Sequence, residues 1–272
     1  MKIMNYNILH GFHSNEQPFV LQKDRLKAAQ EVVKQENPDV LVLTEACFGA
    51  ENKYGINMDY KKLFDFPHAI YSLTASEWGS SLLSKYPIVS SGNYSMDRRS
   101  FSRNILDVNG KEVCVDIAHP HPDLNEFEKR RFFHSQLRDI PNVPYILTGD
   151  FNALSPQDTY DKEKLIQGFA KFMKNEEDAR KAIEGFMTYQ AISEITKQGL
   201  VDTYRQIHKE QQQYTIPTDY LSSDKNSGVR IDYIFCSPHF KVEDAKVIQT
   251  KDSNSASDHY PVTSILKLRG KN

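Results

Sequence analysis

The sequence predicts an α/β chain in which helices pack outside two face-to-face sheets. Three features carry that expectation. The chain opens with a strand, helix, strand unit; the run Asp39 to Thr44 (DVLVLT) is continuously apolar at strand length; and strand patterns return at the C-terminal end after a long helical stretch. An unbroken apolar strand is the mark of one covered on both faces.

In order, Lys2 to Leu9 reads as a strand that opens into a polar loop holding His10, Gly11 and His13. Leu26, Ala29, Val32 and Val33 recur at helical spacing. This helix should stop before Asn37-Pro38, because the residue preceding a proline avoids the α region. Ala69 to Leu73, Ser80 to Lys85 and Phe101 to Val108 are further strands, and Asn109-Gly110 is a hairpin turn into Lys111 to Ala118. Phe127, Arg131, His134, Gln136 and Leu137 belong to the next helix, and Pro144 to Thr148 (PYILT) is another buried strand. From about Asp161 to Gln213 the chain is rich in Lys, Glu and Gln, with Leu165, Phe169, Phe172, Ala182, Ile183 and Phe186 at helical spacing. This is a helical excursion. Arg230 to Cys236, Val242 to Thr250 and Pro261 to Leu268 return to strands. No repeat, linker or composition break divides the chain, so a single domain over 1–272 is expected.

Composition narrows the function classes. Lys+Arg 34 against Asp+Glu 36 in 272 residues excludes a strongly basic nucleic-acid protein, and 39% hydrophobic with 26% charged residues argues against disorder, collagen-like repeats and a coiled coil. No apolar stretch approaches the roughly 20 residues that cross a bilayer, and no basic-then-apolar leader precedes the first strand, so a soluble, cytoplasmic protein is expected. Cys47, Cys114 and Cys236 are odd in number, far apart and without a C-x-x-C pair. They support neither a disulfide framework nor a structural zinc site, and read as small buried hydrophobes.

Polar residues gather where the apolar strands end, the places where a rigid scaffold presents functional groups. Asn7 ends the first strand, Glu45 the second, His119 follows VCVDIA, Asp150 and Asn152 follow YILTG, and Asp258-His259 precede the last strand. Asp232 falls inside the apolar run Ile231 to Phe235, where a carboxylate is costly unless paired. Each residue alone has a structural explanation, such as a cap, a turn or an ion pair. Together they combine hard oxygen donors with histidines, the set that a magnesium-assisted phosphoryl site requires.

The blocks MNYNILHG, LVLTEA, WGSSLLSKYPI, IAHPHPD, YILTGDFNA, RIDYIFCSP and SDHYPV resemble, in order and from end to end, the motifs of the endonuclease/exonuclease/phosphatase superfamily, the DNase I-like metal-dependent phosphohydrolases. GDFNA with RIDYIF and SDHYP is the specific part. The resemblance implies a four-layer α/β sandwich of two central mixed sheets flanked by helices, with the site at one rim. It also implies Mg²⁺, with Mn²⁺ as substitute, on Glu45, Asn7 and Asp258. Asp150 resembles the residue that orients or deprotonates the attacking water, and Asn152 the one that positions it. His259 resembles the histidine on the scissile phosphate, with Asp232 as its partner, while His119 matches a contact to phosphate or leaving group. Arg103, in the strand before the Asn109-Gly110 hairpin, falls near a phosphate-contacting arginine of some members. The physical requirements agree, since phosphodiester hydrolysis needs an aligned water, a base beside it and positive charge on the phosphate oxygens.

His121 with Asp123, and His10 with His13, invite a zinc reading, which the mostly oxygen donor set disfavours. Trp78 either walls a substrate groove or packs. The chain carries YNILHG and TEA where exonuclease III-like AP endonucleases carry W-N-x-x-G-x-R and Q-E-T, and RIDYIF where inositol polyphosphate phosphatases carry W-x-D-R-I-L. Both branches are therefore disfavoured relative to the group of small nucleases, tyrosyl-DNA phosphodiesterases and sphingomyelinase-like proteins. The expected substrate is a phosphodiester, including nucleic acid, acted on by a monomer; the alternatives are an AP endonuclease-like repair enzyme, a phosphomonoesterase, a sphingomyelinase-like enzyme and a catalytically inactive binding scaffold. Arg98-Arg99 with Arg103, and Lys129-Arg130-Arg131, are candidate basic patches, and the excursion is the segment expected to select substrate.

Overall fold

The computed structural model describes residues 1–270 apart from 17–18, 47–55, 73–77, 97–98, 172, 223 and 226. Cys47, Leu73, Arg98 and Phe172 therefore lie outside the described residues. In chain order the elements are β1 (Lys2–Asn7), a 3-10 turn at His10–Phe12, α1 (Lys23–Glu36), β2 (Val40–Ala46), α2 (Tyr60–Leu63), β3 (His68–Ser72), β4 (Gly79–Ser84), β5 (Ile88–Met96), β6 (Arg99–Asp107), β7 (Glu112–Ala118) and α3 (Glu126–Leu137). There follow β8 (Tyr145–Asp150), α4 (Lys162–Phe169), α5 (Glu176–Phe186), α6 (Gln190–Lys197), β9 (Val201–Asp202), α7 (Thr203–Ile207), β10 (Asp232–Cys236), β11 (Phe240–Val247), α8 (Lys251–Ala256) and β12 (Val262–Leu268).

Two six-stranded mixed sheets face each other, in the orders β11-β12-β1-β2-β4-β3 and β5-β6-β7-β8-β10-β9. Each has one parallel pair at its centre, β1 with β2 and β7 with β8. The helices α1 and α3 connect these pairs, as parallel strands require a crossover. Alternation along the strands sorts three cores. Ile3, Val40, Val42, Val115, Ile117, Ile146 and Ile234 meet between the sheets. Met4, Tyr6, Leu41 and Leu43 point outward, under Ala29, Val32 and Val33 of α1. Cys114, Tyr145, Leu147 and Phe235 point outward on the other sheet, under Phe132 and Phe133 of α3 and Ala191, Ile192 and Ile195 of α6. The result is a four-layer sandwich.

Local chemistry explains the joints. Asn37 takes a left-handed conformation (φ 45°) and ends α1 immediately before Pro38. At the β6–β7 turn Asn109 and Gly110 both have positive φ, 55° and 81°, as a tight hairpin demands. The excursion departs from a purely helical reading: Val201–Asp202 forms a short strand on β10, and α6 supplies much of the outer layer. The helices α4 and α5 pack instead on Leu154 and Val229, beside the loops that leave β8 and enter β10. Among the described residues no helix is long and apolar enough to cross a membrane. Cys114 and Cys236 are free and buried, and burial pushes the Cys236 thiol up to about 12.

Candidate active site

The inward face of each central strand changes from apolar to polar as it reaches one rim. Ile3 is followed two residues at a time by Asn5 and Asn7, Val42 by Thr44, Ile117 by His119, and Ile146 by Thr148 and Asp150. Running the other way, β10 begins at the rim with Asp232 before Ile234. Because strand side chains alternate faces, these polar groups share the slot that the inter-sheet core fills elsewhere. The Ser257 hydroxyl lies 2.7 Å from the Asn7 carbonyl oxygen and 3.1 Å from Asp258 Oδ1, tying the segment before β12 to the same rim.

Asp150 and Asp232 are directly opposite in the antiparallel β8–β10 ladder. His259 reconciles the two carboxylates, with Nδ1 2.7 Å from Asp232 Oδ2 and Nε2 3.8 Å from Asp150 Oδ2. His119 Nε2 approaches the same Asp150 oxygen at 3.6 Å. Asp150 Oδ1 accepts the Asn152 backbone N–H at 2.9 Å, and the Asn152 amide donates to the Pro120 carbonyl at 3.1 Å. Two backbone features aim these groups. Gly149 (φ 145°) lies so close to β7 that a Cβ would sit 1.9 Å from the Ala118 oxygen, so only glycine lets Asp150 and His119 adjoin. Glu45 (φ 57°) is the extra residue of a bulge between Thr44 and Ala46 opposite β4, which re-aims its side chain to the rim.

Glu45 and Asp150 converge on one donor: the Asn7 amide nitrogen is 3.1 Å from Glu45 Oε1 and 3.0 Å from Asp150 Oδ2. The His10 backbone N–H holds the other Glu45 oxygen at 3.0 Å. Burial pushes Asp150 up to about 7; His259 opposes that rise and Asp232 adds to it. Burial also raises Asp258, with His259 opposing and Glu45 adding. His259 goes the other way: burial would depress it, but Asp232, Asp258 and Asp150 hold the imidazolium well above the ordinary histidine range. Such concentrated carboxylate calls for positive charge, and hard oxygen donors suit a divalent ion. Glu45 and Asp258 are residues that could hold it, and Asn7 could do so only through its amide oxygen, which accepts the Leu9 N–H at 3.0 Å while its nitrogen faces the carboxylates. Among the described residues Asp150, Asp232 and His259 also bring ligand atoms within 4.8 Å of one another. Two members of that group, Asp232 and His259, are already bound to each other at 2.7 Å.

Arg103 does not join this group. Its guanidinium is bound to the buried carboxylate of Asp116 at 2.9 and 3.0 Å and to the Gln136 and Asp139 carbonyls, on the α3 side of the second sheet. The run Lys129-Arg130-Arg131 is no three-residue patch either, since Lys129 is fully buried with Nζ 2.5 Å from the Asn152 oxygen. His121 contacts Asp123 at 3.6 Å, and neither it nor the pair His10 and His13 falls in a three-ligand group among the described residues. Trp78 is 7% exposed and stacks on His10, with ring centroids 4.7 Å apart. Contributors that the sequence left unmarked are Asn5, whose amide reaches Asp232 at 3.4 Å, and Thr215, whose hydroxyl accepts the Ile231 and Asp232 N–H groups. Arg25 is a third, buried and binding the Ile8, Leu9, His13 and Ala256 carbonyls around the rim. Asn5 had a signal in its two-residue spacing from Asn7; Arg25 and Thr215 had none.

A family model described as the Endonuclease/Exonuclease/phosphatase family matches residues 4–259. No match is found among curated proteins. Similar solved structures include an endonuclease/exonuclease/phosphatase from Beutenbergia cavernae (22% identity, 99% of this chain and 72% of that one, TM-score 0.66). An AP endonuclease from Archaeoglobus fulgidus matches at 18% identity over 98% of this chain and 100% of its own, TM-score 0.68. A 3′ phosphatase from Neisseria, bound to product DNA hairpin, matches at 20% identity over 98% and 99%, TM-score 0.66. At these identities the likeness is one of fold.

Proposed function

Because the chain belongs to the endonuclease/exonuclease/phosphatase family, we propose that it is a Mg²⁺-dependent hydrolase of phosphodiester bonds, its residues 1–272 acting as one domain. The observation that carries this reading is the linked set Asp232, His259, Asp150 and His119, in which a buried carboxylate lies between two imidazoles at the rim. A pseudoenzyme scaffold has no need of it.

In the proposed reaction Asp150 accepts the proton of the attacking water, steadied by the Asn152 N–H and the Asn7 amide. His259, kept cationic by Asp232, hydrogen-bonds a non-bridging phosphate oxygen and stabilises the charge that grows there. His119 stands on the other side of Asp150 as a contact to phosphate or leaving group. A Mg²⁺ ion held by Glu45, Asn7 and Asp258 would polarise the phosphate and neutralise the leaving oxygen. The DNA-related descriptions of the Archaeoglobus and Neisseria proteins favour nucleic acid as the substrate class. The near-neutral charge of this chain favours short or locally unpaired substrates over tight, sequence-independent duplex binding.

Hydrolysis of bis-p-nitrophenyl phosphate and of p-nitrophenyl phosphate, each with and without Mg²⁺, tests this. Diester cleavage that needs the ion is expected. Faster monoester cleavage would make the protein a phosphomonoesterase, and inactivity on both would favour a binding scaffold.

A further inference from the structure

Resting on the metal reading above, we propose that His10 is an additional ligand of the divalent ion at Glu45, through Nε2, and that it tilts the site from Mg²⁺ toward Mn²⁺. The imidazole is held on two sides. One face stacks on Trp78 at 4.7 Å, itself braced edge-on by Phe19 at 5.8 Å. Nδ1 lies 3.0 Å from the Asn15 amide oxygen. An amide oxygen can only accept, so Nδ1 is the donor there and Nε2 is the ring atom left to face Glu45. That nitrogen lies 3.8 Å from Glu45 Oε2, with the side chain 24% exposed and so reachable by an ion. A ring nitrogen fixed by an N–H bond to an oxygen while the other faces carboxylate is the arrangement in which histidines ligate metals.

The backbone supports the same assignment. His10 (φ 53°) and Glu45 (φ 57°) both adopt the left-handed conformation without being glycine, and the His10 N–H binds the same Glu45 oxygen at 3.0 Å. Strain of this kind persists where the surrounding structure enforces it, commonly at functional sites. His13 behaves differently: it is buried and its Nδ1 is 2.8 Å from the Gly11 carbonyl, so it stays outside the site. Imidazole is a softer donor than carboxylate or water, and Mn²⁺ accepts it more readily than Mg²⁺ does.

The experiment is pulsed EPR of the Mn²⁺-loaded protein, with calorimetric titration of Mn²⁺ and Mg²⁺, on the parent and on His10→Asn. Asparagine tolerates positive φ, keeps the backbone N–H to Glu45 and is too short to replace Nε2. A ¹⁴N coupling to Mn²⁺ that disappears in His10→Asn is expected, with Mn²⁺ affinity down about tenfold or more and Mg²⁺ affinity changed less than about threefold. Mn²⁺ binding without that coupling, coupling that survives the substitution, or a parallel fall in both affinities would overturn the assignment while leaving the metal site standing. A parent protein that binds neither ion would overturn both.

Discussion

Replacing Asp232 by Asn separates chemistry from architecture at this site, because the two side chains have the same shape and both can accept the Nδ1–H of His259. Only the charge is lost. At 2.7 Å and an effective dielectric of about 20, the attraction of the pair is about 6 kcal/mol before desolvation is deducted. Asp150 and Asp258 remain, so part of the stabilisation of the imidazolium persists. With one preorganised cationic donor weakened, turnover should fall about 10²–10³-fold. Steady-state rates on bis-p-nitrophenyl phosphate across pH read this directly. His259 is held cationic well above its ordinary range, so in Asp232→Asn it sheds its proton at lower pH and the alkaline limb of the profile should move down. A histidine raised in the folded state contributes stability below its unfolded value of about 6.5, which is lost as pH rises through the folded value. The melting-temperature gap between parent and variant should therefore be wider near pH 6 than near pH 9, by about the sign of that linkage. A purely structural role would need another partner for Asp232, and the nearest cation in sequence, Arg230, is bound instead to Asp158 and Asp202 at 2.7–3.0 Å. Unchanged turnover and an unmoved alkaline limb, with only a lower melting temperature, would refute the reasoning.

Chelation by EDTA should abolish activity and Mg²⁺ or Mn²⁺ restore it, while Glu45→Gln should raise the Mg²⁺ concentration for half-maximal rate and be partly rescued by excess ion; full activity in EDTA would overturn the metal reading. Asp150→Asn should lower turnover about 10²–10⁴-fold. Its melting temperature should hold or rise, because burial makes the ionised carboxylate unfavourable there; a large stability loss with normal turnover would contradict the proposed role. Arg103→Gln should do the reverse, destabilising by about 3–5 kcal/mol in chemical denaturation because Asp116 is left buried without its cation, with turnover per folded molecule unchanged. A specific loss of substrate affinity in that variant would return Arg103 to the substrate path.

Much of the scaffold was legible. The stop at Asn37-Pro38, the Asn109-Gly110 hairpin and the buried β2 and β8 follow from rules that act over a few residues. Less legible were β5, the short β9 and α8. Edge strand β5 (IVSSGNYSM) pairs, among the described residues, only with β6 and carries polar residues, so no apolar run announces it. In β9 two residues suffice because β10 supplies the ladder. The six-residue α8 is made of Lys, Asp, Ser, Asn and Ala and is fixed by the Thr250–Ser253 capping box rather than by an apolar stripe. Arg103 shows the limit most plainly: an arginine near a motif reads as a phosphate contact until the strand opposite is known to carry Asp116.

By itself the sequence determined the two-sheet class, the strand ends at which polar residues replace apolar ones, and some of the groups gathered there, because alternation and motif spacing are properties of contiguous chain. Tertiary structure decided the partners. That His259 meets Asp232 rather than another acid, that Arg230 turns to Asp158 and Asp202, that Glu45 is swung to the rim by a bulge and that Lys129 ends beneath Asn152 all depend on which distant strands become neighbours. Charges buried at such junctions interact over a few ångströms with groups up to hundreds of residues away in sequence, and the stacking of the two sheets, which no local pattern encodes, sets those distances.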